Sequence, residues 1–176
     1  NMGCPSKSVA ASGSGAALIK TPDLAHAIVR AARQGLEDWA GGQSIHSQGF
    51  KPSRIEFIHT LNHSRSGVPV VPRRLLPLSI KTRLGFDCVV VERWVEHLLE
   101  ARPAAITLHG RTLQQMYRGA ADWSAIAEAA KLARGTGTLM LGNGDLNTLV
   151  DAIRRAAESK VQGVLVGRGT LGSPWF

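Results

Sequence analysis

The chain has 176 residues, with 21 lysines and arginines against 13 acidic residues and a formal charge of +8. At 44% hydrophobic residues it can bury a globular core, which excludes a disordered tail, and no apolar run approaches the roughly 18 residues of a membrane-spanning helix. The only cysteines, Cys4 and Cys88, form no CxxC pair, which argues against a disulfide scaffold, a zinc finger or another metal site and fits a reducing, cytoplasmic compartment.

Thr21, Pro22 and Asp23 read as an N-cap, a first-turn proline and an acid that complements the helix dipole. Leu24, Ile28, Val29 and Ala32 follow at helical spacing, and Gly35 is placed to end that helix. Residues of about 37–76 then break the rhythm with Gly41-Gly42, Pro52, Pro69, Pro72 and Arg73-Arg74, leaving room for one short helix near Ser53–Leu61. Forty residues far exceed the usual connection between elements, so the segment reads as an atypical insertion.

Beyond Pro77 the alternation returns. A strand is expected over 78–83, then a helix over 89–101 carrying Val91, Trp94, Val95, Leu98 and Leu99. Ala105 to His109 is the next strand, followed by a polar loop over 110–121. A helix from about Asp122 carries Trp123, Ile126, Ala127 and Ala130 and ends near Gly135. Thr138 to Leu141 is a strand, Gly142-Asn143-Gly144-Asp145 a turn, and Leu146, Leu149, Val150 and Ile153 one apolar helix face. Val164 to Val166 is the last strand and Gly167-Arg168-Gly169 the last turn.

Such alternation means parallel strands joined by crossover helices, an α/β fold. Lys81, His109, Asn143 and Arg168 are 28, 34 and 25 residues apart, about one βα unit each. In a βα barrel all four surround one mouth, where such folds place their chemistry. Periodicity leaves a doubly wound open sheet as the rival.

Several stretches carry chemistry. Gly and Pro around Cys4 hold its thiol on a stiff loop, and a thiol of ordinary acidity is mostly protonated at neutral pH, so it can serve as a proton donor. A buried, inert cysteine is the commoner fate, and Cys88, between Asp87 and Val89–Val91, takes that reading. Lys81 and Arg83, two apart on a strand, share a face, where two cations repel unless an anion or electron-rich ring lies between them. His109 stands at the end of an apolar strand. The Gly142–Asp145 and Gly167–Gly169 turns expose backbone N–H groups in the manner of phosphate sites in barrels.

Taken in order, NMGCPSKSV with GSGAALI (residues 1–9 and 13–19), LSIKTRLGFD (78–87), ITLHGRTLQQMYRGAADW (106–123), LGNGD (141–145) and VGRGTLGSPW (166–175) resemble the tRNA-dihydrouridine synthase family. The resemblance implies a TIM (β/α)8 barrel that binds FMN and reduces uridines of tRNA to 5,6-dihydrouridine, with NADPH restoring the flavin. By position, Cys4 matches the family's proton donor. Lys81 and His109 match contacts to the FMN ring, and Asn143, Gly144, Asp145, Gly167 and Arg168 match its FMN-binding turns. Asn1 and Arg83 match residues that hold the target uracil.

The +8 charge agrees with a polyanionic substrate. The expectation is therefore a partial barrel, the C-terminal half of a TIM (β/α)8 barrel, with the first strands and a helical tRNA-binding domain outside this chain, inactive in isolation and monomeric at full length. The alternative is a flavin barrel acting on a free pyrimidine such as dihydroorotate or uracil.

Overall fold

The structure, a computed structural model, describes residues 1–65 and 73–175. Pro69 and Pro72 fall outside them. The chain forms two compact units, Asn1–Arg30 with Pro77–Phe176, and Ala31–Leu76.

In the first unit four strands, β1 (Ser79–Arg83), β2 (Ala105–His109), β3 (Leu139–Asn143) and β4 (Gly163–Leu165), make one sheet in the order β1-β2-β3-β4, all parallel. A doubly wound sheet reverses its strand order at a switch point; this one never reverses. Right-handed crossovers then place α4 (Val91–Glu100), α5 (Trp123–Leu132) and α6 (Leu149–Ser159) on one face. That is the winding of a barrel, and the fold is a partial (β/α)8 barrel.

The even-numbered strand residues face these helices. Ile80, Thr82, Ile106, Leu108 and Met140 are buried with Trp94, Val95 and Leu98 of α4 and Ile126 and Ala129 of α5. Val91, Trp94, Val95 and Leu98 fall at i, i+3, i+4 and i+7, so α4 presents one continuous apolar stripe. The polar groups in this core are paired: Trp94 Nε1 donates to Thr82 Oγ1 at 3.1 Å, and that hydroxyl donates to Met2 O at 3.2 Å. Asp122 caps α5, its carboxylate accepting from Ala125 N at 2.9 Å.

Helix α1 (Lys7–Ala11) and a 3₁₀ turn over Gly15–Lys20 precede α2 (Pro22–Ala40). Gly35 does not end α2. Its neighbours are good helix formers, and one glycine in a helix interior costs only about 0.5–1 kcal/mol. The helix stops instead at Gly41-Gly42, with Gly42 at φ +86°. In the second unit the expected short helix is longer, α3 (Pro52–Ser64), opened by its N1 proline.

Two further expectations fail. Leu149, Val150 and Ile153 of α6 are 56%, 73% and 63% exposed, while Ala152, Ala156 and Ser159 turn inward. Both sets have helical spacing. The Thr148 cap, accepting from Asp151 N at 3.0 Å, starts the helix in the phase that buries the small side chains, and Leu146 is buried before the helix begins. Cys88 is exposed, not buried, because it lies in the loop between β1 and α4.

Candidate active site

The odd-numbered strand residues carry the polar chemistry. Arg83, His109, Asn143 and Leu165 are paired in register across all four strands, and Lys81 lies one pleat below Arg83 on the same face. They line a cavity of about 360 Å³ at the C-terminal ends of the strands. All ten residues singled out in the sequence line it: Asn1, Cys4, Lys81, Arg83, His109, Asn143, Gly144, Asp145, Gly167 and Arg168.

Cys4 is held by a loop anchored to β1. Met2 N donates to Lys81 O at 2.7 Å, and Asn1 Oδ1 accepts from Gly3 N at 3.1 Å, which bends the chain ahead of the thiol. Ala16 N donates to Cys4 O at 3.0 Å. This contact requires Gly15: its φ is +61°, and a Cβ there would stand 2.7 Å from Cys4 O. The GSGAA stretch is thus the floor under the cysteine.

Arg83 is buried at 3% exposure and serves backbone carbonyls. Its Nε donates to Gly3 O at 2.8 Å, and its Nη1 donates to Thr112 O at 3.0 Å and Met116 O at 3.2 Å. One guanidinium therefore fastens the Cys4 loop to the loop after β2, and burial lowers its pKa. This resolves the two-cation face: carbonyl dipoles stabilise Arg83, while Lys81 Nζ donates to Asn143 Oδ1 at 3.3 Å. Asn143 Nδ2 in turn donates to Leu165 O at 2.7 Å, which fixes the amide's orientation. Burial, then the charge of Arg83, lowers the Lys81 pKa.

His109 stands between these cations. Burial, with Arg83, Lys81 and Arg111 around it, pushes its pKa down to about 3, so the ring is neutral at neutral pH. The cavity therefore presents a neutral imidazole beside a lysine.

Asp145 organises the opposite side. Its carboxylate takes both oxygens onto Arg111 Nη2, at 2.8 and 2.7 Å, and accepts from Ala121 N at 2.7 Å. Burial alone would raise its pKa, but the Ala121 N–H and Arg111, with Arg168 Nη2 at 3.9 Å, hold it below the usual carboxylate range. Gly144 beside it has φ +130°, and a Cβ there would meet Ala121 Cβ at 2.7 Å and His109 Cδ2 at 3.2 Å. The Arg168 guanidinium lies 4.9 Å from the Tyr117 ring centroid, a cation–π pair at the cavity.

The family model described as dihydrouridine synthase matches residues 1–38 and 62–176. The chain belongs to the dihydrouridine synthase family. Among its relatives are proteins named probable tRNA-dihydrouridine synthase in three bacteria. The Aquifex aeolicus protein is 41% identical over 101 residues, covering 57% of this chain and 31% of the relative. The Rhodobacter capsulatus protein is 33% identical, covering 99% of this chain and 42% of its own length. A Bacillus subtilis protein, numbered 2, is 30% identical with 99% and 43% covered. The chain thus spans about two fifths of the relatives that it matches along nearly all its length.

Within the dihydrouridine synthase framework, the sequence reading assigned no role to two residues at the cavity. Arg111, 3% exposed, ties the loop after β2 to the Gly144–Asp145 turn. Tyr117 lines the cavity. Both lie in the HGRT…QMYRG stretch that carries the family resemblance, which was the available signal. Among the described residues no group of three or more His, Cys, Asp or Glu is placed to hold a metal, and no helix is long and apolar enough to cross a membrane.

Proposed function

We propose that this chain is the catalytic part of an FMN-dependent tRNA-dihydrouridine synthase, reducing uridines in tRNA to 5,6-dihydrouridine with NADPH as reductant. One observation carries the reading: in a chain of this family, residues from five separate stretches, Cys4, Lys81, His109, Asn143 and Arg168, converge on one cavity. Its volume of about 360 Å³ falls within the roughly 300–1,000 Å³ usual for small-molecule sites.

The residues fit a flavin mononucleotide. Gly144 keeps the backbone open where a Cβ would collide. Arg111 takes the Asp145 carboxylate at 2.7 Å while Arg168 Nη2 stays 3.9 Å from it, so Arg168, 63% exposed, remains able to meet a phosphate at the Gly144-Asp145 and Gly167-Arg168 turns. Lys81, with Asn143 orienting it, offers a cation to the pyrimidine edge of the ring, and neutral His109 a hydrogen bond that adds no charge.

When bound, FMN supplies the electron pair of the reduction, and NADPH restores it. Cys4 Sγ donates the proton that uracil C5 gains, from a loop whose position Arg83 and Gly15 fix. Asn1, exposed at the cavity, and Arg83 hold the base, which leaves the RNA stack to reach them. The enzyme works as a cytoplasmic monomer on this reading. The test is turnover by the purified, flavin-loaded full-length enzyme of unmodified tRNA against free uracil and dihydroorotate, since the isolated 176-residue chain is inactive on this reading. Dihydrouridine formed in tRNA is the expected result. Turnover of a free pyrimidine with none of tRNA replaces this reading by a small-molecule flavin barrel.

A further inference from the structure

Arg111 is 3% exposed, and most of its guanidinium is committed to one side. Its Nε donates to Arg118 O at 3.3 Å, and its Nη2 donates to Gly119 O and to both oxygens of Asp145. Those contacts hold the side chain so that Nη1 has one partner among the described residues, His109 Nε2 at 3.5 Å. At that distance the bond is weak, but the pairing still has a sign. A guanidinium carries five N–H donors and nothing that accepts. With the ring proton on Nε2, two donors would face each other in a buried setting and both would lack an acceptor.

The other ring nitrogen is free for a ligand. His109 lines the active-site cavity, and its Nδ1 has no hydrogen-bond partner among the described residues. Among those residues the one side-chain nitrogen or oxygen that is both buried and unpartnered is His97 Nε2, so His109 Nδ1 opens onto the cavity. The ring is neutral at neutral pH and holds a single proton. A proton excluded from Nε2 sits on Nδ1.

We propose that Arg111 is a positioning residue that fixes His109 as its Nδ1–H tautomer, so that the imidazole meets the occupant of the cavity as a hydrogen-bond donor. In free neutral histidine the proton lies mainly on Nε2, and here the bond to the second nitrogen reverses that preference. The reversal selects: the atom that His109 meets must be an acceptor, a carbonyl oxygen or a ring nitrogen without hydrogen, because an N–H there would leave two donors unpaired. That this acceptor belongs to a flavin rests on the proposed function. The tautomer does not.

The experiment is long-range proton–nitrogen correlation NMR of the flavin-loaded full-length enzyme at neutral pH, with isotope-labelled histidine and His109→Gln to identify the His109 signals. Wild type should show a pyrrole-like Nδ1 and a pyridine-like Nε2, the Nδ1–H form in about tenfold excess or more, the scale of one hydrogen bond to a charged donor. Arg111→Met offers Nε2 no donor, and Arg111→Lys carries the charge without the fork that spans Asp145 and His109 together. Either variant should cut the excess about tenfold, with flavin content and melting temperature confirming the fold; should neither fold, the wild-type spectrum decides. A wild-type ring protonated on Nε2, or a folded variant that keeps the full excess, overturns the proposal. An enzyme that takes up no flavin overturns the proposed function instead, and the same spectrum is then read on the unloaded protein.

Discussion

The two units of this chain are both helical in part, yet they differ in what their sequences can bury. In α4 of the first unit, Val91, Trp94, Val95 and Leu98 make one stripe that disappears into the core. In α3 of the second, Ile55, Phe57, Ile58 and Leu61 are scattered around the helix; Ile55 is the only buried hydrophobic residue among those described between 31 and 76, and Phe57 is 56% exposed. Propensity alone makes only a marginal helix of this length; a stripe of matching period makes it part of a core. All ten cavity residues singled out in the sequence belong to the first unit, because only a packed sheet can hold side chains from five stretches in fixed register.

The sharpest test of that assignment is Cys4→Ala in the flavin-loaded enzyme. Gly3 O, Cys4 O and the loop around them are held by backbone contacts that alanine preserves. FMN content should stay intact while oxidation of reduced flavin by tRNA slows about 10²–10⁴-fold, the usual cost of losing a general acid. Wild-type single-turnover rates would remove Cys4 from its proposed role.

Titration of His109 gives the next effect. Its pKa is about 3 in the folded protein against an ordinary 6.5, so as pH falls the unfolded chain takes up its proton first. The unfolded state binds more protons throughout the window from about 6.5 to about 3, and stability must fall as pH falls across it and be flat above it. His109→Gln should remove this part of the slope. Denaturant midpoints from pH 7 to 4 check it, and equal slopes in both proteins would mean that the fold leaves the His109 pKa at its ordinary value.

Two glycines, one in each unit, put smaller numbers on the contrast. A Cβ on Gly142 would stand 2.6 Å from Trp123 Cη2, and that ring is pinned by its Nε1 donating to Gly144 O at 3.1 Å. Gly142→Ala should cost about 1–3 kcal/mol by overpacking. Gly35 sits inside α2 with nothing within 4 Å of its Cβ position, and Gly35→Ala should stabilise by about 0.5–1 kcal/mol. Chemical denaturation measures both, and the same sign at both sites would break the contrast.

These residues also show what was legible beforehand. The starts of α2 and α5 were readable because Pro22-Asp23 and Asp122 are local signals. The convergence of Lys81, His109, Asn143 and Arg168 was readable because one βα unit separates each from the next. The work of Arg83 was hidden, since its acceptors are backbone carbonyls, which every residue type carries. The phase of α6 was hidden because Leu149, Val150 and Ile153 and the smaller Ala152 and Ala156 fit one period equally well, and packing against β4 and α5 chose between them.

The smallest expected effect comes from excising most of the second unit. The family model passes over residues 39–61, and none of the described residues between 31 and 76 lines the active-site cavity. The polar contacts described there close locally: Arg73 Nη1 donates to Trp39 O and Gln43 O, Gln43 Nε2 to Asp38 Oδ1, and Gln48 Nε2 to Gln43 Oε1. Removing the segment therefore orphans few partners, and loop-closure cost grows only with the logarithm of length, about 0.6 kcal/mol per doubling. Replacing residues 40–73 by a short turn in the flavin-loaded enzyme should leave flavin content and the rate of tRNA reduction within about twofold of wild type. Absorbance of the purified protein reads the first and single turnover the second. If the shortened enzyme emerges without flavin, the segment supports the flavin site after all.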